Sequence, residues 1–227
     1  MKKSMLLSIS LLAGTVGLQA AETAQERLHD AAEVLREIMS TPDRGIPQDL
    51  LHRAACVAIV PGMKKGAFIV GAEYGKGFVI CRQEHEMGWR APAAIRVEGG
   101  SFGFQIGGES TDVVMLIMNE RGMHELEKDK ITLGGDASIA AGPVGRTAAA
   151  DTDALMNAEI LSWSRNKGIF AGISLNGATL RPDRDDNRQL YGQSMGTREV
   201  FDSTIQVPEA ARPLIQELDR YSMRRQG

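Results

Sequence analysis

Two short basic clusters are the residues of this 227-residue chain best suited to chemistry, and the chemistry they suit is anion binding. Pro61-Gly62-Met63-Lys64-Lys65-Gly66 sets two ammonium groups side by side on a glycine-flanked turn. Ser164-Arg165-Asn166-Lys167-Gly168 sets a guanidinium and an ammonium ahead of alternating small and apolar residues that close at Asn176-Gly177. Arginine offers a planar fork of donors, lysine a compact point charge. If folding brings the two turns together, Lys64, Lys65, Arg165 and Lys167 make a basic pocket, each worth roughly 1 kcal/mol beside an anionic membrane surface. Taken on their own, the four residues read first as two ordinary solvated turns.

No catalytic grouping is expected. Gly99-Gly100-Ser101-Phe102-Gly103 has the form G-x-S-x-G, but a nucleophile elbow needs a strand before the serine and a helix immediately after it. Phe102, Phe104 and Ile106 alternate as a strand does, and the glycines read as a tight turn. His29, His52, His85 and His124 are scattered, with no H-E-x-x-H and no i, i+4 pair, so no metal site is expected. Glu84-His85-Glu86 reads as a solvated hairpin loop. The glycines of Gly71 to Gly77 form neither phosphate-cradling pattern, and no cofactor is implied. Asp183-Arg184-Asp185-Asp186-Asn187 is acidic, lacks the spacing and glutamate of a calcium loop, and reads as a surface loop or helix cap.

The elements that must position these residues follow from periodicity. Residues 23 to 39 carry Thr23 and Glu26 at capping-box spacing, then Leu28, Ala32, Leu35 and Met39 at helical intervals. The polar face of this helix is acidic, which suits packing on the domain better than lying on an anionic bilayer. A short helix follows Ile46, with Pro47 in its first turn. From Val57 the period shortens: Val57 to Val60, then a hairpin of Gly66 to Ala72 with Gly77 to Arg82 around Glu73-Tyr74-Gly75-Lys76. Ala94 to Glu98, Ser101 to Gly107 and Asp112 to Met118 continue the strands, the last apolar throughout and therefore central. A helix at Glu120 to Lys128 interrupts before Ile131 to Leu133, Glu159 to Ser164 and Gly168 to Leu175. Pro208 to Arg225 closes the chain as a helix. The class is α+β, a largely antiparallel sheet able to curl towards a barrel, with flanking N- and C-terminal helices.

Residues 1–20 read as a cleavable signal peptide: Lys2-Lys3, an apolar stretch from Met5 to Leu12, then small residues ending at Ala20. No cysteine near the cleavage region encodes a lipoprotein anchor, and no later segment approaches the roughly 20 apolar residues of a membrane span. The expected location is periplasmic or secreted, with residues 21–227 forming a single domain. Losing Lys2 and Lys3 takes the formal charge from −3 to about −5, which does not advertise nucleic acid. In an exported chain Cys56 and Cys81 either pair or pack as two buried thiols.

Several motifs in order resemble the SYLF lipid-binding domain family. They run from about Ala31 to Gly192 and include Ala58-Ile59-Val60-Pro61 with Lys64-Lys65-Gly66, Trp89 with Pro92-Ala93, Gly99 to Gly108, Gly134 to Ser138, and Gly142-Pro143-Val144-Gly145-Arg146. Ala158 to Trp163, Lys167 to Gly177 and Asn187 to Gly192 complete the set. The resemblance implies a non-enzymatic module that binds anionic phospholipids at the cell envelope through Lys64, Lys65, Arg165 and Lys167. Eukaryotic members are associated with phosphoinositides, membrane traffic and actin. An exported chain makes phosphatidylglycerol or cardiolipin the better expectation and actin an unlikely partner. The alternative is an envelope structural or protein-interaction module without a lipid ligand, using a sheet edge or the C-terminal helix with Arg212, Arg220, Arg224 and Arg225.

Overall fold

The computed structural model describes residues 22–41, 45–67, 70–83, 88–102, 107–144, 157–166, 168–202 and 204–222. The expected signal peptide at residues 1–20, Glu84-His85-Glu86, Lys167 and the residues after Ser222 lie outside them. Helix α1 spans Ala24–Ser40 and starts where the capping box places it. Thr23 Oγ1 accepts the Glu26 N–H at 3.2 Å, while the Glu26 carboxylate accepts the Thr23 N–H at 2.8 Å. Its apolar side, Leu28, Ala31, Leu35 and Ile38, is fully buried on the sheet and on the C-terminal helix. Helix α2, Gln48–Arg53, follows Pro47 and buries Leu50 and Leu51.

Nine strands among the described residues form one sheet that curls into a half-barrel. In chain order these are β1 (Cys56–Ala67), β2 (Val70–Cys81), β3 (Ala93–Phe102), β4 (Gly107–Ile117), β5 (Ile131–Thr132), β6 (Ile139–Ala141), β7 (Ile160–Asn166), β8 (Ile169–Gly172) and β9 (Thr179–Pro182). The spatial order is β5-β9-β3-β2-β1-β4-β7-β6, with β8 also on β7, and all pairs are antiparallel except β6 with β7. Both faces of the centre are covered, which is why β1 and β4 read as continuous apolar runs rather than alternations. Val57, Ile59, Val114 and Leu116 face α1, and Ala58, Val60, Val113 and Met115 face a second core with Leu126, Leu133 and Phe201. Strand β4 is central, as its composition predicts.

Two turn assignments are corrected. Glu73-Tyr74-Gly75-Lys76 is not a hairpin loop but the interior of β2, and the chain reverses between Ala67 and Val70. The glycines serve a bulge in β1 instead: a Cβ on Gly77 would stand 2.0 Å from the Ile59 carbonyl oxygen, and one on Gly75 would stand 2.6 Å from Val60 Cγ1. Likewise Gly99 and Gly100 are no tight turn but pair with Glu73 and Ala72 along β3, which runs on through Ser101. Two glycines in an edge-to-edge ribbon and two in a turn look alike in sequence, because the partner backbone that requires them comes from another strand.

Helix α3, Glu120–Leu126, is capped by Asn119. Beyond β9 come helix α4 (Arg184–Tyr191) and helix α5 (Thr197–Asp202), then a 3-10 turn at Glu209–Ala211 and helix α6 (Arg212–Ser222). The acidic 183–187 segment is a helix start, Asp183 accepting the N–H groups of Asp185 and Asp186 at 3.2 and 3.0 Å. The apolar stripe of α6 is spent inside the molecule, with Leu214 and Leu218 fully buried and α1 its main neighbour. Arg212 and Arg220 pair with Glu209 and Glu217 of their own segment.

Cys56 and Cys81 face each other across β1 and β2, 4.0 Å apart at Cα, and form a disulfide. Of the two readings open from sequence, pairing is the one the fold realises.

Candidate functional site

The site grows from the β1 bulge. The Pro61-Gly62 segment adds one residue to β1 that β2 and β4 do not match, the register slipping between Val60 and Met63 against β4. Gly62 holds φ at 56°, a conformation that side chains resist. A bulge reverses the alternation beyond it. Ala58 and Val60 face the second core and so does Met63, so Lys64 turns towards α1 and Lys65 to the opposite face.

Lys64 therefore opens onto a cavity of about 350 Å³ between the start of α1 and the sheet. Glu22, Asp30, Glu33 and Val34 wall it on the helix side. Pro61, Gly62 and Lys64 from the bulge, with Ser110, Asp112 and Arg165 from β4 and β7, form its floor. The volume falls within the range of small-ligand pockets, roughly 300–1,000 Å³. Lys64 pairs in register with Ser110, and Asp112 with Arg165, so Lys64 and Arg165 flank β4 two residues apart.

Asp112 organises this floor. It accepts the Gly62 N–H at 2.9 Å and the Arg165 Nε–H at 2.7 Å, tying the bulge to β7. Arg165 also reaches Glu37 on α1 and lies 6.0 Å from the Phe170 ring centre. Burial raises Asp112 above the usual carboxylate range, against the Gly62 hydrogen bond, and the nearby Asp30 adds to the rise. Glu22 is raised too, by burial first and against the pull of Arg27, with Asp30 contributing.

The four residues read as a basic cluster thus fare differently. Lys64 and Arg165 line one cavity. Lys65 sits on the other face, paired with Glu73 at 3.1 Å. Lys167 lies outside the described residues. The cavity holds carboxylates beside its two cations, which the sequence reading did not anticipate. Glu22, Asp30 and Glu33 belong to the acidic polar side of α1, and only the docking of that helix brings them to the cavity. Among the described residues no group of histidine, cysteine, aspartate and glutamate could hold a metal ion. Ser101 stands within strand β3, which continues through Phe102.

A second polar centre holds the fold around this site. Arg27 of α1 contacts Asp186, and Lys76 of β2 reaches Asp183 at 2.7 Å and Asp186 at 3.1 Å. Both aspartates are nearly inaccessible. Burial works to raise Asp183, but hydrogen bonds from Lys76 and from the Asp186 N–H hold its carboxyl below the usual range. Asn187 and Tyr191 bind the same helix to the start of β3, through the Ala94 N–H and the Pro92 carbonyl.

These contacts join motifs that are far apart in sequence, and the comparisons place the same stretch in a family. A family model described as Ysc84, Las17-binding protein actin regulator, matches residues 98–221. The chain belongs to the Ysc84 family. This is the SYLF resemblance read from its motifs. The chain is 34% identical over 197 residues to Protein YSC84 of Saccharomyces cerevisiae, covering 83% of this chain and 42% of that protein. It is 34% identical over 199 residues to SH3 domain-containing YSC84-like protein 1 of Xenopus laevis, covering 85% and 59%. A third relative, SH3 domain-containing protein PJ696.02 of Schizosaccharomyces pombe, is 36% identical over 177 residues, covering 77% and 41%. The chain spans about half the length of these Ysc84-family relatives.

The Ysc84-family motifs acquire physical reasons here. Gly142 lies under the indole of Trp163, whose Nε1–H donates to the Pro143 carbonyl at 2.9 Å. Gly172 lies against the Gly142 carbonyl, so the two glycine motifs meet backbone to backbone.

Proposed function

We propose that this member of the Ysc84 family is a non-enzymatic module of the cell envelope that binds phospholipid headgroups through their phosphate, those of anionic lipids included. The observation that carries the reading is the convergence of Lys64 and Arg165 on one cavity of ligand size. Lys64 is exposed, with no ion-pair partner among the described residues, and so is available to a phosphate. Lys65 supplies charge on the opposite face of the sheet. Ser101, inside a strand, supports the absence of hydrolytic chemistry.

Flotation of the mature chain with phosphatidylglycerol-containing and neutral vesicles tests this. Binding that weakens in Lys64→Ser, and that falls as salt screens charge beyond about 10 Å at 0.1 M, is the expected result. No flotation with any vesicle, and no lipid co-purifying with the chain, would overturn it. Lys64 is the better single target, because removing Arg165 would leave Asp112 without its cation and disturb the fold.

A second reading is an envelope structural or protein-interaction module without a lipid ligand. It draws on Ile169, 63% exposed on strand β8, and on relatives whose names record Las17 binding. One stoichiometric envelope partner recovered with no bound lipid would favour it.

A further inference from the structure

The charge inventory of the cavity singles out two groups. Glu22 is paired with Arg27 at 3.2 Å, Glu33 with Arg36, and Asp112 with Arg165, which also takes Glu37. That leaves Asp30 and Lys64, both exposed, both facing the cavity, and neither in an ion pair among the described residues, Asp30 sharing a hydrogen bond with the Glu22 carboxyl. One is an acceptor for a cation, the other for an anion. Asp30 also stands where more positive charge is wanted, since it lies close enough to raise both Glu22 and Asp112.

An anionic headgroup satisfies only half of this arrangement. Placed on Lys64 alone, it would face Asp30 across the cavity with no cation to offset that carboxylate. A ligand carrying both a phosphate and an ammonium satisfies both. The walls further discriminate among ammonium groups. Quaternary ammoniums are recognised by aromatic cages, and among the described residues the apolar side chains lining this cavity are Val34 and Pro61. Carboxylates instead accept hydrogen bonds, which a primary ammonium can donate and a trimethylammonium cannot.

We infer that the cavity between α1 and the β1 bulge takes a zwitterionic phosphoethanolamine-type group, its phosphate on Lys64 and its primary ammonium on Asp30. The inference rests on the headgroup reading above and narrows it to one chemical class. The same chemistry occurs in a membrane lipid, phosphatidylethanolamine, and in a free small molecule, glycerophosphoethanolamine.

The test uses the mature chain with vesicles of phosphatidylcholine alone, or of phosphatidylcholine with either phosphatidylethanolamine or phosphatidylglycerol. Soluble glycerophosphoethanolamine is titrated separately by calorimetry. Phosphatidylethanolamine vesicles should bind over phosphatidylcholine, and Asp30→Asn should weaken that binding about tenfold or more, the scale of a lost charge-assisted hydrogen bond. Asp30→Asn should leave phosphatidylglycerol binding unchanged or stronger, Lys64→Ser should weaken both, and Asp30→Glu should restore the preference. Binding of the soluble compound alone, with the same Asp30 dependence, supports the chemistry and names a free ligand as its source. Phosphatidylglycerol binding with no ethanolamine preference, or a preference indifferent to Asp30→Asn, overturns the inference while the headgroup reading stands. No binding to any vesicle or to the soluble compound overturns both. Asp30 and Lys64 are surface groups, so the variants keep the fold, which thermal denaturation verifies.

Discussion

Asn187 accepts the Ala94 N–H at 2.8 Å and donates from its other amide atom to the Met195 carbonyl at 2.8 Å. A fully buried side chain thereby replaces a missing strand partner at the start of β3 and anchors the α4–α5 connection. Removing it leaves a backbone donor and a backbone acceptor unmet, each costing roughly 1–3 kcal/mol. Asn187→Ala should lower the thermal midpoint by several degrees in a calorimetric scan. Asn187→Asp, which keeps the acceptor but loses the donor, should fall between it and the parent.

The contact of Gly142 with Trp163 sets a steric limit. A Cβ on Gly142 would lie 2.1 Å from Cε2 of the indole. Gly142→Ala should destabilise by about 1–3 kcal/mol, the usual cost of overfilling a packed core, in urea unfolding followed by tryptophan fluorescence. Adding Trp163→Phe removes the clashing ring atoms, so the double variant should lose less than the two single costs combined.

The Lys76–Asp183 pair predicts the acid limb of stability. Asp183 is held below its ordinary value of 3.8, so its contribution is present above pH 3.8 and is lost as pH falls through its lower folded value. Lys76 is held above 10.5 by hydrogen bonds to both aspartates, against burial, so its contribution is present below that value and lost as pH rises through the higher folded one. Glu22 and Asp112, both raised, work in the opposite sense at low pH. Thermal midpoints measured from pH 2 to pH 7 should show Asp183→Asn less stable than the parent at neutral pH, with the two curves converging towards pH 2. Parallel curves would show that the pair carries no stability.

The Cys56–Cys81 disulfide is completely buried. A reductant reaches it only when the β1–β2 ribbon opens. With a reductant such as a dithiol present, thiol labelling should stay slow under native conditions and accelerate in urea well below the midpoint only if that ribbon opens before the rest. Replacing both cysteines by alanine should cost about 3 kcal/mol by loop-entropy reasoning for their 25-residue separation.

Much of the scaffold is legible in the residues. The capping box of Thr23 and Glu26 starts α1, the apolar run of Asp112 to Met118 marks a central strand, and a helix cap is one of the two readings of Asp183 to Asn187. Each is a local signal: a side chain meeting a backbone group three residues away, or a strand with both faces buried. Strands β6 and β9 escaped notice because three or four residues of mixed burial have no period of their own, and only their neighbours define them.

The sequence by itself determined the fold class, the family and the cations available for binding, because hydrophobic period, turn chemistry and motif order are written along the chain. Tertiary structure alone decided what those cations face. The Pro61-Gly62 bulge reverses the alternation of β1, sending Lys64 to the α1 side and Lys65 away from it, and a slip of register leaves no mark in composition. The docking of α1, which buries Leu28, Leu35 and Ile38, then brings Asp30 to the same cavity as Lys64, although the two lie on different elements. Charge along the chain says which groups exist. Which of them stand opposite one another, and whether they leave room for a ligand, depends on helix packing against a bulged sheet.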